Sequence, residues 1–125
     1  MIAFLKGDFV QKTPASVLVD VNGVGYEIQI SLNTYSKIQS LEKGILYTSL
    51  LIREDAHLLY GFFDLAEKEI FQLLIGVSGI GASTARVMLS YMKPDELAMA
   101  IVQGDTKTLE GLKGIGKKTA ERMVL

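Results

Sequence analysis

The sequence contains no cysteine, only two prolines, a single histidine and no surplus of positive charge. Without cysteine there is neither a disulfide nor a thiolate metal site, which fits a reducing cytoplasm. The scarcity of proline, with 49% hydrophobic and 22% charged residues, excludes a disordered or low-complexity chain. No apolar run approaches the ~20 residues needed to cross a bilayer, and no signal-peptide layout is present. The expectation is a soluble, untargeted cytoplasmic protein with no membrane partner. The lone histidine, His57, has no Cys, Asp or second His at ligand spacing and reads as a strand-edge residue. No nucleophile–base pair suggests itself elsewhere, so no catalytic residue, metal or cofactor is assigned. A length of 125 residues fits one domain or two small ones. The chain stops at Leu125 inside an apolar periodic pattern with no cap, as a fragment of a longer protein would.

What is present is a repeat. Gly79-Ile80-Gly81 returns as Gly114-Ile115-Gly116, 35 positions later. At the same offset Leu74 matches Leu109, Gly76 matches Gly111, Thr84 matches Thr119, Ala85 matches Ala120 and Met88 matches Met123. Self-similarity at one offset means one structural unit used twice. Each copy reads as helix, tight Gly-x-Gly hairpin, helix. The glycines permit a sharp turn, and Ile80 or Ile115 anchors it in the core. The turn presents N–H groups at the start of the next helix, where the dipole favours an anion. Two such cradles make a clamp for a nucleic-acid backbone. A net charge of −1 is awkward for that role, but from Lys113 onward four cations (Lys113, Lys117, Lys118, Arg122) face one anion, Glu121. A local basic face binds phosphate even on a nearly neutral chain.

Taken in order, residues 1–63 read as β. Ile2 to Val10 is one strand; Ser16 to Val21 alternates, with Val17, Val19 and Val21 on one face. Asn22-Gly23 is the pair a type I′ hairpin wants, and the return strand carries Val24, Tyr26, Ile28 and Ile30 on one side. Asn33 to Leu41 is a short helix or loop; Ile45 to Ile52 and His57 to Phe63 are further strands. Five short strands with one minor helix predict a small barrel, of which the OB-fold is the commonest five-stranded kind. From Asp64 the period becomes helical. Asp64 and Glu67 suit a capping box, and Ala66, Ile70, Leu73 and Leu74 a buried stripe. Later helices are expected over Ala82 to Met92, from Pro94 to Val102, from an Asp105 cap to Leu109, and after Gly116, with Gly116, Ala120, Met123 and Val124 inward. The fold class is α+β: a barrel over 1–63, then an all-α pair of hairpin units over 64–125.

Three motifs need weighing. Gly111-x4-Gly116-Lys117 nearly spells a P-loop, but Lys118 stands where Ser or Thr should ligate Mg²⁺, and the preceding residues are helical. Glu54-Asp55, after Arg53, is a solvated turn or, less simply, a carboxylate pair for a divalent ion, which two adjacent carboxylates rarely hold alone. Tyr26, Tyr47, Tyr60 and Phe62 could stack on bases, although strand spacing favours core packing.

Four stretches in order resemble one family: Met-Ile-Ala-Phe-Leu-Lys-Gly at the start, Val21 to Glu27, Arg53 to Phe62, and Gly114 to Arg122. The chain resembles the RuvA family, the Holliday-junction-binding subunits of the bacterial branch-migration machine. The resemblance implies an OB-fold followed by two helix–hairpin–helix motifs, and a homotetramer, or an octamer of two, bound to four-way junction DNA in a nucleoid-associated setting. It implies that Glu54 and Asp55 form an acidic pin at the crossover. Its phosphate-contacting positions fall on Gly114, Gly116, Lys117, Lys118, Thr119 and Arg122 in the second hairpin, and on Gly79, Gly81, Ser83 and Thr84 in the first. The family often carries lysine where this chain has Ser83; either backbone N–H groups with Ser83 and Thr84 suffice there, or Arg86 compensates. The family's third domain, which grips the RuvB ATPase, has no counterpart in these residues. RuvB and the RuvC resolvase are thereby implied as partners of the longer protein, and ATP hydrolysis belongs to RuvB.

Overall fold

A computed structural model describes all residues from Met1 to Leu125. It divides into two compact units, Met1–Lys68 and Glu69–Leu125. In the first, β1 (Phe4–Lys12), β2 (Ser16–Val21), β3 (Val24–Gln29), β4 (Lys43–Ile52) and β5 (His57–Phe62) close a barrel in the order β1-β2-β3-β5-β4, with α1 (Leu32–Ile38) between β3 and β4. The expected five-stranded barrel is therefore present and fully closed.

Alternation explains the barrel core. Leu5 and Phe9 of β1, Val17 and Val19 of β2, Ile28 of β3 and Leu46 of β4 point inward, joined by Ile30 and Ile38. The β2–β3 turn follows its two-residue signal. Asn22 and Gly23 both have positive φ, 52° and 89°, and the Gly23 N–H donates to the Asp20 side chain at 2.7 Å. Val24 is 53% exposed, because the hairpin end runs past the barrel interior that buries Ile28 and Ile30. In β1 the register slips between Phe9, opposite Val19, and Gln11, opposite Leu18; Val10 is the extra residue of this bulge and lies exposed.

Two polar contacts invisible in the periodicity fix α1. The Lys12 ammonium donates to the carbonyls of Ile38, Gln39 and Leu41 at 3.3, 2.9 and 2.7 Å. A cation thus closes the C-terminal end of the helix, where orphan carbonyls and the dipole both favour it. At the other end Ser31 caps α1 by accepting from the Thr34 N–H.

The expected start of α2 (Leu65–Ile75) is corrected by the structure. Glu67 does not reach back to close a capping box. Its carboxylate is 1% exposed and accepts from Ser31 Oγ at 2.7 Å, Thr34 Oγ1 at 2.5 Å and Asn33 Nδ2 at 3.3 Å. Asp64 instead pairs with Lys37 on the surface. Along α2 the buried residues are Glu67, Phe71 and Leu74, while Ala66 and Leu73 are exposed and Ile70 is half-buried.

The second unit completes α2 and adds α3 (Ala82–Tyr91), α4 (Pro94–Val102), α5 (Thr106–Glu110) and α6 (Lys117–Met123). Ala82, Ala85, Met88 and Leu89 bury one face of α3, and Ala120 and Met123 one face of α6. Gly116, expected to face inward, is instead the exposed N-cap of α6. The Lys93 N–H donates to Glu96 at 2.9 Å at the start of α4, and Asp105 caps α5 by accepting from the Thr108 N–H at 3.2 Å. No helix is long and apolar enough to cross a membrane.

Candidate nucleic-acid interface

The two glycine hairpins are alike bond for bond. In the first, the N–H groups of Gly76, Val77, Ile80 and Ala85 donate to the carbonyls of Leu73, Leu74, Val77 and Gly81. In the second, those of Gly111, Leu112, Ile115 and Ala120 donate to Thr108, Leu109, Leu112 and Gly116. Every partner is displaced by the same 35 positions seen in the sequence. Ile80 and Ile115 are each 5% exposed and pin the turns to the core.

Within each Gly-x-Gly the two glycines have different jobs. Gly79 and Gly114 hold φ of 96° and 87°, a left-handed conformation that other residues adopt at a cost. Gly81 and Gly116 are N-caps of α3 and α6 with ordinary extended backbone, φ −87° and −89°. A β-carbon at either would meet nothing within 4 Å. Nothing inside the chain demands glycine there. Neither cap has a side chain to occupy the first-turn N–H groups, which are left for water or an anion.

The hairpins also interlock. The Gly79 backbone lies against Thr119 of α6, and the Gly114 backbone against Thr84 of α3. The Arg122 guanidinium donates to the Ser78 carbonyl at 3.5 Å, so this cation of the second repeat sits beside the first hairpin. A groove lined by Ser83, Thr84, Val87, Tyr91, Lys113 and Gly114 is the reciprocal arrangement on the other side.

Of the residues expected to contact phosphate, Gly79, Gly81, Ser83, Gly114, Gly116, Lys117, Lys118 and Arg122 are exposed. Thr84, Thr119 and Arg86 are half-buried, and Ser90 Oγ donates to the Arg86 carbonyl at 3.0 Å. Arg86 does not line the groove that holds Ser83 and Thr84, whereas Lys113 does. The Gly111–Lys117 stretch follows α5, a helix, where a P-loop would require a buried strand.

Glu54 and Asp55 lie exposed at the tip of the β4–β5 hairpin, which is closed by the Arg53 N–H on the Ala56 carbonyl at 2.8 Å. His57 opens β5 opposite Ile52. No three His, Cys, Asp or Glu side chains anywhere in the chain are grouped to hold a metal ion. Tyr60 and Phe62 are core residues at 4% and 1% exposure, and Tyr26 packs on the core from its margin. Tyr47 alone of the four lines an open groove, with Lys6, Asp8, Asp20 and Lys43.

Comparison with known proteins agrees with this division of the chain. Residues 1–61 match the family model described as RuvA N terminal domain, and residues 71–125 the SAM-like Helix-hairpin-helix tandem. The whole chain aligns with proteins named Holliday junction branch migration complex subunit RuvA. It is 50% identical to that of Flavobacterium psychrophilum and covers 65% of it. It is 51% identical to that of Cytophaga hutchinsonii, covering 63%, and 52% identical to that of Neisseria meningitidis serogroup C, covering 65%. The chain thus spans just under two thirds of the curated relatives it matches. With a closed barrel, a duplicated glycine hairpin and half of all residues shared along its full length, the chain belongs to the RuvA family.

Proposed function

We propose that this chain binds four-way junction DNA as a non-catalytic, structure-specific subunit of a RuvA–RuvB branch migration complex, serving recombination and repair. The observation that carries the reading is the duplicated hairpin, identical in hydrogen bonding, with uncapped helix starts and glycine where no intramolecular contact requires it. A glycine N-cap with open space beside it suits the close approach of another polymer's phosphates. Lys117, Lys118 and Arg122 add charge, and phosphate contacts of this kind hold any sequence in place without reading it.

In this reading residues 64–125 grip the arms, and residues 1–63 supply assembly and the acidic tip. One chain offers two backbone contacts, too few for four arms, so the working form is a cyclic homotetramer whose symmetry matches an open junction. Glu54 and Asp55 project at the crossover. ATP hydrolysis and its motor are the partner's, recruited through the part of the longer relatives that lies beyond the aligned region.

The test is to compare affinities for a four-way junction, a duplex of the same arm sequence and a single strand at matched salt. The expected order is junction over duplex over single strand, with little effect of arm sequence. Equal affinity for junction and duplex overturns the proposal. A preference for single strands returns the barrel to the role of a single-strand-binding OB module. Light scattering that finds only monomer at micromolar concentration, with and without junction, overturns the tetramer.

A further inference from the structure

The repeat is charge-asymmetric. At the second helical position, the second repeat has Lys118 where the first has Ser83. By sequence alone the first hairpin lacks a cation of its own, and Arg86 lies outside the groove beside it. The interlock supplies one from elsewhere. In each copy the residue just before the first glycine faces the other copy's helix. In the first this is Ser78, whose carbonyl receives the Arg122 guanidinium of α6. In the second it is Lys113, which lines one groove with Ser83 and Thr84 from the opening turn of α3. Gly114 holds the loop there: its backbone is close enough that an added β-carbon would meet Thr84 Cγ2 at 3.4 Å.

We infer that Lys113, from the second hairpin, is the phosphate-binding cation of the first. Helix α6 itself carries Lys118 and Arg122, and the groove beside α3 is lined by Lys113 together with Ser83 and Thr84. Each hairpin therefore has at least one cation beside it, although all of these come from a single repeat. This deepens the DNA-backbone reading of the hairpins and rests on it. It also removes the need for a lysine at position 83: one placed there would meet the ammonium of Lys113 over the same phosphate.

The experiment measures the salt dependence of four-way-junction binding for the unaltered chain and for Lys113→Gln, Lys118→Gln, Ser83→Lys and the pair Ser83→Lys with Lys113→Gln. Circular dichroism establishes that each is folded. One phosphate contact contributes about 0.9 to the salt slope, about eightfold in affinity at 0.1 M salt, for every protomer in contact. Lys113→Gln is expected to flatten the slope by that amount, as Lys118→Gln does, and Ser83→Lys is expected to restore it in the Lys113→Gln background. If Lys118→Gln weakens binding and Lys113→Gln leaves it unchanged, the inference fails and the hairpin reading stands. A Lys113→Gln loss that Ser83→Lys does not restore places Lys113 at another phosphate and also overturns it. If neither glutamine variant changes the slope, the backbone-clamp reading itself is wrong.

Discussion

A β-carbon on Gly79 would lie 2.9 Å from Thr119 Oγ1, a side chain of the other repeat. The matching distance at Gly114 is 3.4 Å, to Thr84 Cγ2. The two hairpins therefore fit against each other's helices: at Gly79 a β-carbon would crowd Thr119, whereas at Gly114 it would meet Thr84 at ordinary contact distance. Left-handed φ adds to the steric objection. It costs roughly 1–2 kcal/mol for a residue with a β-carbon.

Stability and binding should consequently separate along the Gly-x-Gly. Gly79→Ala is expected to destabilise by about 1–2 kcal/mol or more, and Gly114→Ala by less, since its neighbour is farther away. Adding Thr119→Ala to Gly79→Ala relieves the contact but not the dihedral, so the double variant should be less destabilised than the two singles summed. Gly81→Val and Gly116→Val meet open space and should keep the fold, with stability changes near 0.5 kcal/mol. Junction affinity should nonetheless fall for both. Urea denaturation beside junction titration checks this; normal binding by both valine variants would reduce the hairpins to connecting turns.

A second expectation concerns Glu67. Its hydroxyl partners are already oriented, because Ser31 Oγ accepts from the Thr34 N–H and Thr34 Oγ1 from the Phe63 N–H. Both hydroxyls must point their protons at the carboxylate. Glu67→Gln replaces one acceptor oxygen by a donor and strands one of them. The expected cost is about 1–3 kcal/mol. Thr34→Val should cost a similar amount, and a double-mutant cycle should give a coupling of at least about 0.5 kcal/mol. Additive losses would mean that the two groups are not energetically linked.

Asp105 sets a pH dependence in the helical unit. The Thr108 hydroxyl, donating at 2.6 Å, and then the Thr108 N–H hold its carboxyl below the ordinary value. A depressed folded pKa means that the ionised form is favoured by folding. The contribution is complete above the unfolded pKa and is lost as pH falls through the folded one. Thermal melts of the unaltered chain should therefore show a loss at the acid end that Asp105→Asn, still a competent N-cap, lacks. Identical acid limbs for the two proteins would refute the assignment.

How far this was legible in the sequence depended on the kind of signal. Barrel strands and the Asn22-Gly23 turn follow from period-2 alternation and turn chemistry, both local. The repeat was legible because two copies of one unit carry the same glycines, isoleucine and alanine at the same offset. Glu67 was not: a glutamate at helical spacing reads as a surface cap, and only the fold brings Ser31, Asn33 and Thr34 beneath it. The same holds for Lys12, whose three carbonyls lie 26 to 29 residues away. Lys113 was visible as a charge, but which hairpin it serves follows from the interlock. The glycine pairs look equivalent in sequence, and only their dihedrals separate the strained member from the free one.

The last prediction concerns the acidic tip, which runs against the logic of the proposed DNA contact. Glu54 and Asp55 are exposed at the end of a two-stranded arm, with no metal-holding group around them. On a continuous duplex, carboxylates at this position oppose close approach of the phosphates. In the binding mode proposed above, the same charges face the centre of an open crossover, where strands diverge and repulsion favours their separation. On that reading the pair acts on two substrates unequally, which is how a repulsive element creates preference. A like-charge pair about 4 Å apart costs roughly 1 kcal/mol even in bulk water, about fivefold in affinity, before salt reduces it. Glu54→Gln with Asp55→Asn should keep the melting temperature, tighten duplex binding by up to about that factor and tighten junction binding less. The junction-to-duplex ratio should therefore shrink, most of all at low salt. On the same reading, the double variant of the longer protein, with its motor subunit present, should change the rate of branch migration without abolishing it, the carboxylates serving as charges and not as acids or bases. An unaltered ratio at low salt would make Glu54 and Asp55 an ordinary solvated turn.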